Sequence, residues 1–235
     1  MVGQQLSNLS ARRELLKLWR GMPEFQVVPR QTALVIHDVQ GLTTDPEAGI
    51  ARRMKDLGLL ALRKSYLSRM REAVRRIASL QAACRDAGVQ VVYTVIEARL
   101  ADGRDAAWPL RFHGLVPLPG STEGAIQPSI RPRQDEPIIL RGAFSMFSQA
   151  HGEEVLRNMG IDTIVLVGGL TDITLASTAR DAADRAFRTY VVEDASFSVF
   201  QSGHQEGLDS LRLWFARITT AHRMRRKLTH TGGGQ

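Results

Sequence analysis

Residues 164–174 read Ile164-Val-Leu-Val-Gly-Gly-Leu-Thr-Asp-Ile-Thr174. A short apolar run, a Gly-Gly pair and a polar segment follow one another, the pattern of a buried strand turning into a helix. A residue at the start of such a helix sits beside free backbone N–H groups, which favour negative charge. Thr174 occupies that place, which suits a nucleophile or a residue that positions one.

Similar units flank this segment on both sides. Ala33–Ile36 reads as a buried strand ending at His37 and Asp38, and Val89–Val95 as a second strand. Pro137–Leu140 reads as a third, ending at Arg141; Thr163–Val167 is the fourth and Tyr190–Val192 the fifth, with a short last strand near Ile218. Helical periodicity is expected over about 5–20, within 41–60, and over about 64–87, 150–159, 172–186 and 203–216. The 64–87 helix places Ala73, Ile77, Leu80 and Cys84 on one face, and Gly88 is its natural stop. Alternating strands and helices predict an α/β fold: a three-layer α/β/α sandwich around a mainly parallel central sheet. Residues 97–135, rich in proline and glycine, read as a long irregular excursion suited to forming a pocket. The expected organisation is an N-terminal helical extension over 1–30, one domain over 31–222, and a basic, disordered tail over 223–235.

Ligands of parallel sheets bind at the carboxyl ends of the strands. Asp38, Arg141 and, one turn further on, Thr174 fall there from three separate strand units. His37 is expected to face away from Asp38 by strand alternation, as a core histidine. Trp108, Arg111, Phe112 and His113 lie in the excursion, where a pocket-forming role and a plain surface role are both open.

Bulk composition narrows the class. The chain has 235 residues, 43% of them hydrophobic, a size suited to one compact domain with extra terminal elements. No apolar run is long enough for a membrane span, and the N-terminus lacks the apolar core of a secretory signal. The single cysteine, Cys84, leaves no intramolecular disulfide framework, so a cytoplasmic protein is expected. The net charge of +7 comes from 31 Lys and Arg against 24 Asp and Glu, densest at residues 223–227. Without a nucleic-acid recognition motif it reads as a solvated basic surface; neither a nucleic-acid nor a membrane partner is expected. Gly168-Gly169 lacks a full dinucleotide fingerprint, so no cofactor is expected.

Three blocks together resemble the isochorismatase-like hydrolase superfamily, over about residues 30–220. They are Leu34-Val-Ile-His-Asp-Val-Gln40, Ile138-Ile-Leu-Arg-Gly-Ala-Phe-Ser-Met-Phe147, and the segment running from Gly168 to Ala182. That superfamily includes nicotinamidases, amidohydrolases of carbamoyl and ureido compounds, and isochorismatases. The resemblance implies an aspartate at Asp38, a lysine where this chain has Arg141, and a nucleophilic cysteine where it has Thr174. It implies a cis peptide between Gly169 and Leu170 and an oxyanion hole from the backbone N–H groups of Leu170 and Thr174. It points to Gln40, Arg104, Phe147 and Leu170 as substrate-binding residues. It also implies a homo-oligomer, a dimer or tetramer. The metal ligands of nicotinamidases have no counterpart near residues 44–70, so no metal site is expected.

The two replacements change the chemistry. A cysteine thiolate is nucleophilic near neutral pH, whereas a threonine hydroxyl needs a strong, aligned base. Arginine keeps the positive charge of lysine but does not exchange a proton. The expectation is therefore a metal-independent hydrolase of a small polar or anionic molecule, cleaving an enol ether C–O or amide-type C–N bond. Asp38 is its acid or base, Arg141 binds an anionic group or stabilises charge, and Thr174 positions substrate or water. The alternatives are an inactive homologue that binds a small molecule or a partner protein, and a lyase or cyclase on the same cradle.

Overall fold

The computed structural model describes residues 22–230. In chain order its elements are β1 (Thr32–His37), α1 (Gly41–Thr44), α2 (Gly49–Asp56), α3 (Leu60–Asp86), β2 (Gln90–Ile96), α4 (Trp108–Phe112) and β3 (Ile138–Arg141). There follow α5 (Gly152–Asn158), β4 (Thr163–Gly169), a wide helical turn at Thr171–Leu175, α6 (Ala176–Asp184), β5 (Arg188–Phe197), α7 (Gln201–Trp214), β6 (Arg217–Thr219) and α8 (Ala221–His230). The six strands form one sheet in the order β3-β2-β1-β4-β5-β6, and every neighbouring pair is parallel. Parallel sheets need apolar cover on both faces. Here Leu34, Ile36, Val165 and Val167 pack towards α3 and α8, while Ala33, Val35, Ile164 and Leu166 pack towards α5, α6 and α7. The three-layer sandwich is as expected.

Register brings the site together. His37 on β1 lies level with Thr94 on β2 and Gly168 on β4, and Ile96 on β2 lies level with Arg141 on β3. The carboxyl ends of four adjacent strands therefore meet at one edge of the sheet. Gly168 has φ +111°, and a Cβ there would stand 2.1 Å from the His37 carbonyl oxygen. Only glycine lets β4 approach β1 this closely.

Most elements match the sequence reading within a few residues, and Ala73, Ile77, Leu80 and Cys84 all face the core. The expected helix at 5–20 lies outside the described residues. Two elements differ. The fifth strand runs to Phe197 rather than stopping at Val192, because its polar residues find partners. Asp194 pairs with Arg76 and accepts from the Ala221 N–H at 2.7 Å, and Glu193 pairs with Arg212. The disordered tail expected over 223–235 is corrected over its described part: residues 221–230 form α8, and 231–235 lie outside the described residues. Ala221, Met224 and Leu228 recur at helical spacing and are buried against α3 and β5, while Arg223, Arg225 and Arg226 face outward. The basic composition hid this apolar stripe.

Met224 is fully buried. Met224→Ala is expected to cost about 2–5 kcal/mol in urea unfolding, the usual cost of a core truncation. Unchanged stability would mean that α8 is not seated on the core.

Candidate active site

Asp38 directly follows β1 and has φ +51°, in the left-handed region that aspartate tolerates better than most side chains. Strand alternation stops there. His37 and Asp38, expected to diverge, both meet Arg141, while His37 is buried, as expected of a core histidine.

Arg141 is wholly buried, and four of its five N–H donors are engaged. Its Nε donates to Thr94 Oγ1 at 3.0 Å and its Nη1 to the Ala143 carbonyl at 2.6 Å. Its Nη2 donates to Asp38 Oδ1 at 2.6 Å and to His37 Nε2 at 2.9 Å. The guanidinium thus reaches from β3 across β2 to β1, a span of about two strand spacings, roughly 10 Å. A long side chain with donors along its fork fits this task.

The tautomer of His37 follows. Arginine has no acceptor, so Nε2 must be the unprotonated nitrogen and Nδ1 carries the hydrogen. Nδ1 forms no hydrogen bond of good geometry, although the Thr174 backbone lies near enough to favour its proton. Burial pushes the His37 pKa down to about 4, helped by the Arg141 charge and opposed by Asp38. His37 is neutral in the folded protein near pH 7.

Asp38 is 1% exposed. Its Oδ1 is held by Arg141, but Oδ2 accepts no hydrogen bond from any described residue, and His37 Nε2 stands 3.6 Å away. Asp38 lines a cavity of about 230 Å³, small beside typical ligand pockets of roughly 300–1,000 Å³. The walls are mostly apolar: Leu42, Ile50, Ile96, Leu110, Leu115 and Phe144, with Pro109, Leu170 and Ile173. Thr43, His113 and Thr174 add the remaining polar groups.

Thr174 stands at the turn after β4, where the Gly169–Leu170 peptide is cis, as the resemblance implied. Its hydroxyl accepts from the Leu170 N–H at 3.0 Å and donates to the Gly169 carbonyl at 3.1 Å. In this arrangement the hydroxyl proton is directed at a carbonyl, not at a base. The same bond occupies the Leu170 N–H, so the expected oxyanion donor is closed by the side chain of Thr174.

The structure brings Asp38, Arg141, Leu170 and Thr174 together and leaves three other expected residues outside the cavity lining. Gln40 spends its amide on the Ile96 N–H (2.7 Å), the Ile96 carbonyl (2.8 Å) and the Glu123 carbonyl (3.1 Å), tying the 97–135 excursion to the end of β2. Arg104 is exposed and pairs with Asp102 at 3.2 Å. Phe147 stacks on Phe187 in the core beneath the opposite face of the sheet. Arg141, expected to bind an anionic group or stabilise charge, gives four of its five donors to protein groups and is not part of the cavity lining. In the excursion, Pro109, Leu110, His113 and Leu115 line the cavity, while Trp108 and Phe112 stack on each other and are exposed. The apolar lining was the part missed. Its one sequence signal was the set of isolated apolar residues inside the excursion, Leu110 and Leu115.

Comparison with known proteins agrees with the geometry. The isochorismatase domain family model matches residues 32–223. Nicotinamidase 3 of Arabidopsis thaliana is 23% identical over 188 residues, covering 78% of this chain and 91% of its own. Maleamate amidohydrolase of Pseudomonas putida is 27% identical over 165 residues, covering 68% and 76%. The crystal structure of a cysteine hydrolase from Pseudomonas syringae pv. phaseolicola superposes with a TM-score of 0.76 at 20% identity, covering 89% of this chain and 99% of that one; at this identity the likeness is one of fold. Among the described residues no helix is long and apolar enough to cross a membrane, and no group of three His, Cys, Asp or Glu side chains is arranged to hold a metal ion.

Two outcomes follow. Thr174→Ala strands the Leu170 N–H and is expected to cost about 1–3 kcal/mol, whereas Thr174→Ser keeps the bond and costs less, as measured by chemical denaturation. Equal losses would mean that the hydroxyl does not hold the turn. His37 gives a pH signature. The unfolded chain protonates it near pH 6.5, the folded one only near 4. Its contribution to stability is therefore complete above about pH 6.5, falls as the pH drops towards 4, and levels off below, a loss on the order of 3 kcal/mol. His37→Asn should flatten that window in unfolding titrations; an unchanged slope would assign it to other groups.

Proposed function

Because the chain belongs to the isochorismatase family, we propose that it is a hydrolase of that family in which Asp38 is the acid–base catalyst and water the nucleophile. The observation that carries the reading is the pairing of Asp38, a residue of the cavity lining: Oδ1 is bound to Arg141, and Oδ2 is buried without a hydrogen-bond partner among the described residues. A carboxylate with one free oxygen accepts a proton. An enol ether route would require Asp38 to begin as the acid; in this reading it begins as the proton acceptor, and the bond cleaved is an amide-type C–N bond.

The step balances as follows. A water O–H gives its proton to Asp38 Oδ2 while its oxygen attacks the acyl carbon. The C–N bond breaks as the carbonyl re-forms, and Asp38 returns the proton to the leaving nitrogen. The products are a carboxylic acid and an amine or ammonia. Arg141 positions Asp38 without touching the substrate, and the reading routes no step through a metal. Thr174 holds the turn, and rotation of its hydroxyl away from Leu170 opens that N–H to the developing oxyanion.

One observation favours a second reading, a binding protein on the same cradle. The Leu170 N–H is closed by Thr174, as it would be at a site that no longer stabilises an oxyanion. Turnover separates the two. With an amide panel, Asp38→Asn is expected to lower kcat/KM by at least about 10²-fold, and Thr174→Ala to keep part of the activity. Circular dichroism must show both variants folded, since Asp38→Asn leaves the Arg141 charge uncompensated. Equal collapse of both folded variants would favour a threonine nucleophile; no turnover by the native chain would favour the binding protein.

A further inference from the structure

Folding gathers positive charge that looks dispersed in the sequence. Helix α3 carries seven Lys and Arg against two Asp and Glu, and α8 carries four against none. The rest of the chain holds twenty basic side chains against twenty-two acidic ones, so these two helices account for the whole excess of +7. They pack together on one face of the sheet, where Arg225 of α8 donates to Ser79 Oγ of α3 at 3.2 Å. Part of the charge is cancelled locally. Arg63 pairs with Glu47, Arg85 with Glu136 and Lys227 with Glu24; Arg75 and Arg76 share Glu72, and Arg76 also reaches Asp194. Lys64, Arg71, Arg223 and Arg225 are exposed and pair with no carboxylate among the described residues. Arg71, Arg75 and Ser79 follow one another at intervals of four, and Lys64 stands seven before Arg71, so all four lie on one stripe of α3. Arg225 meets that stripe at Ser79 and continues it onto α8.

Charge decides what can lie on this face. A second copy presenting the same face would set like charge against like. Residues 1–21 hold Arg12, Arg13, Lys17 and Arg20 against Glu14 alone, so they are no complement either. The occupant is a separate polyanion. Beyond Leu60, at the start of α3, neither helix exposes a large apolar side chain among the described residues. Helices that bind anionic membranes add apolar anchors to their basic face, and this face lacks them. Arginine forks and serine hydroxyls are instead the groups that hold the phosphate oxygens of nucleic acids. We propose that the α3–α8 face binds nucleic acid through its phosphates, without reading base sequence. From Lys64 to Ser79 the stripe spans about 22 Å at 1.5 Å per residue. Duplex DNA carries a charge about every 1.7 Å of its axis, so each cation of the stripe finds a phosphate within reach. None of these residues lines the Asp38 cavity, and the proposal stands without the hydrolytic reading.

The test is fluorescence anisotropy of a labelled DNA duplex of about 20 base pairs, titrated with the full chain at pH 7 in salt from about 50 to 200 mM. Four or five phosphate contacts predict a slope of about −4 for log affinity against log salt, a weakening of roughly 10²-fold across that range. A second duplex of the same length and unrelated sequence should bind within about twofold of the first. Arg71→Gln combined with Arg225→Gln removes two contacts. It is expected to reduce the slope by about 2 and to weaken binding about tenfold at the lowest salt. Arg104→Gln, an exposed arginine outside the two helices, should change neither. Circular dichroism must show both variants folded. Vesicles of phosphatidylserine and phosphatidylcholine, added as competitor, should not displace the duplex. No saturable binding at the lowest salt, a slope unchanged in the double variant, an equal loss in Arg104→Gln, strong preference for one duplex, or displacement by the vesicles would each overturn the proposal.

Discussion

The buried contact between Arg141 and Asp38 organises the carboxyl edge of the sheet. It links β3 to β1 over the intervening β2, where Thr94 takes the guanidinium Nε. Removing either partner of such a pair leaves a buried charge uncompensated, a cost of about 3–5 kcal/mol. The contact also assigns the protonation of its neighbours. Because arginine only donates, His37 must present a bare Nε2, and because Oδ1 is taken, Oδ2 is the carboxylate oxygen without a partner among the described residues.

Thr174 plays the matching part on the other side of the cavity. A hydroxyl between the Leu170 N–H and the Gly169 carbonyl satisfies two backbone groups of a tight turn at once. A cysteine at this position would be a far weaker hydrogen-bonding partner in both directions. In the proposed reading Thr174 is a structural residue, and the chemical burden falls on Asp38. Arginine at 141 agrees with that reading. It offers more fixed donors than lysine and no proton to exchange, which suits holding a carboxylate in place.

The fold was legible because its signals are local and repeated: apolar strands, one long helix with a clear buried face, and a Gly-Gly turn that admits close strand approach. Asp38, Arg141 and Thr174 were legible because strand ends collect at one edge of a parallel sheet. What those residues touch was not legible. That Asp38 meets Arg141 alongside His37, rather than pointing to the other face, goes with its positive φ, where strand alternation ends. The apolar lining comes largely from α1, α2 and the 97–135 excursion, whose placement depends on long-range ties such as Gln40 to Ile96 and Glu123. Nothing in the local sequence announces such ties. Helix α8 was hidden for a related reason, since composition is averaged over a segment while burial depends on one stripe of it.

The most direct test of the account is a crystal structure of the chain soaked with a small amide from the panel of amides. The expected result is an amide group within about 2.6–3.2 Å of the Asp38 carboxylate, directly or through one water, with Arg141 still bound to Asp38 and Thr94. Arg141 turned into the cavity to hold the ligand, or Thr174 Oγ1 bonded to the acyl carbon, would contradict it.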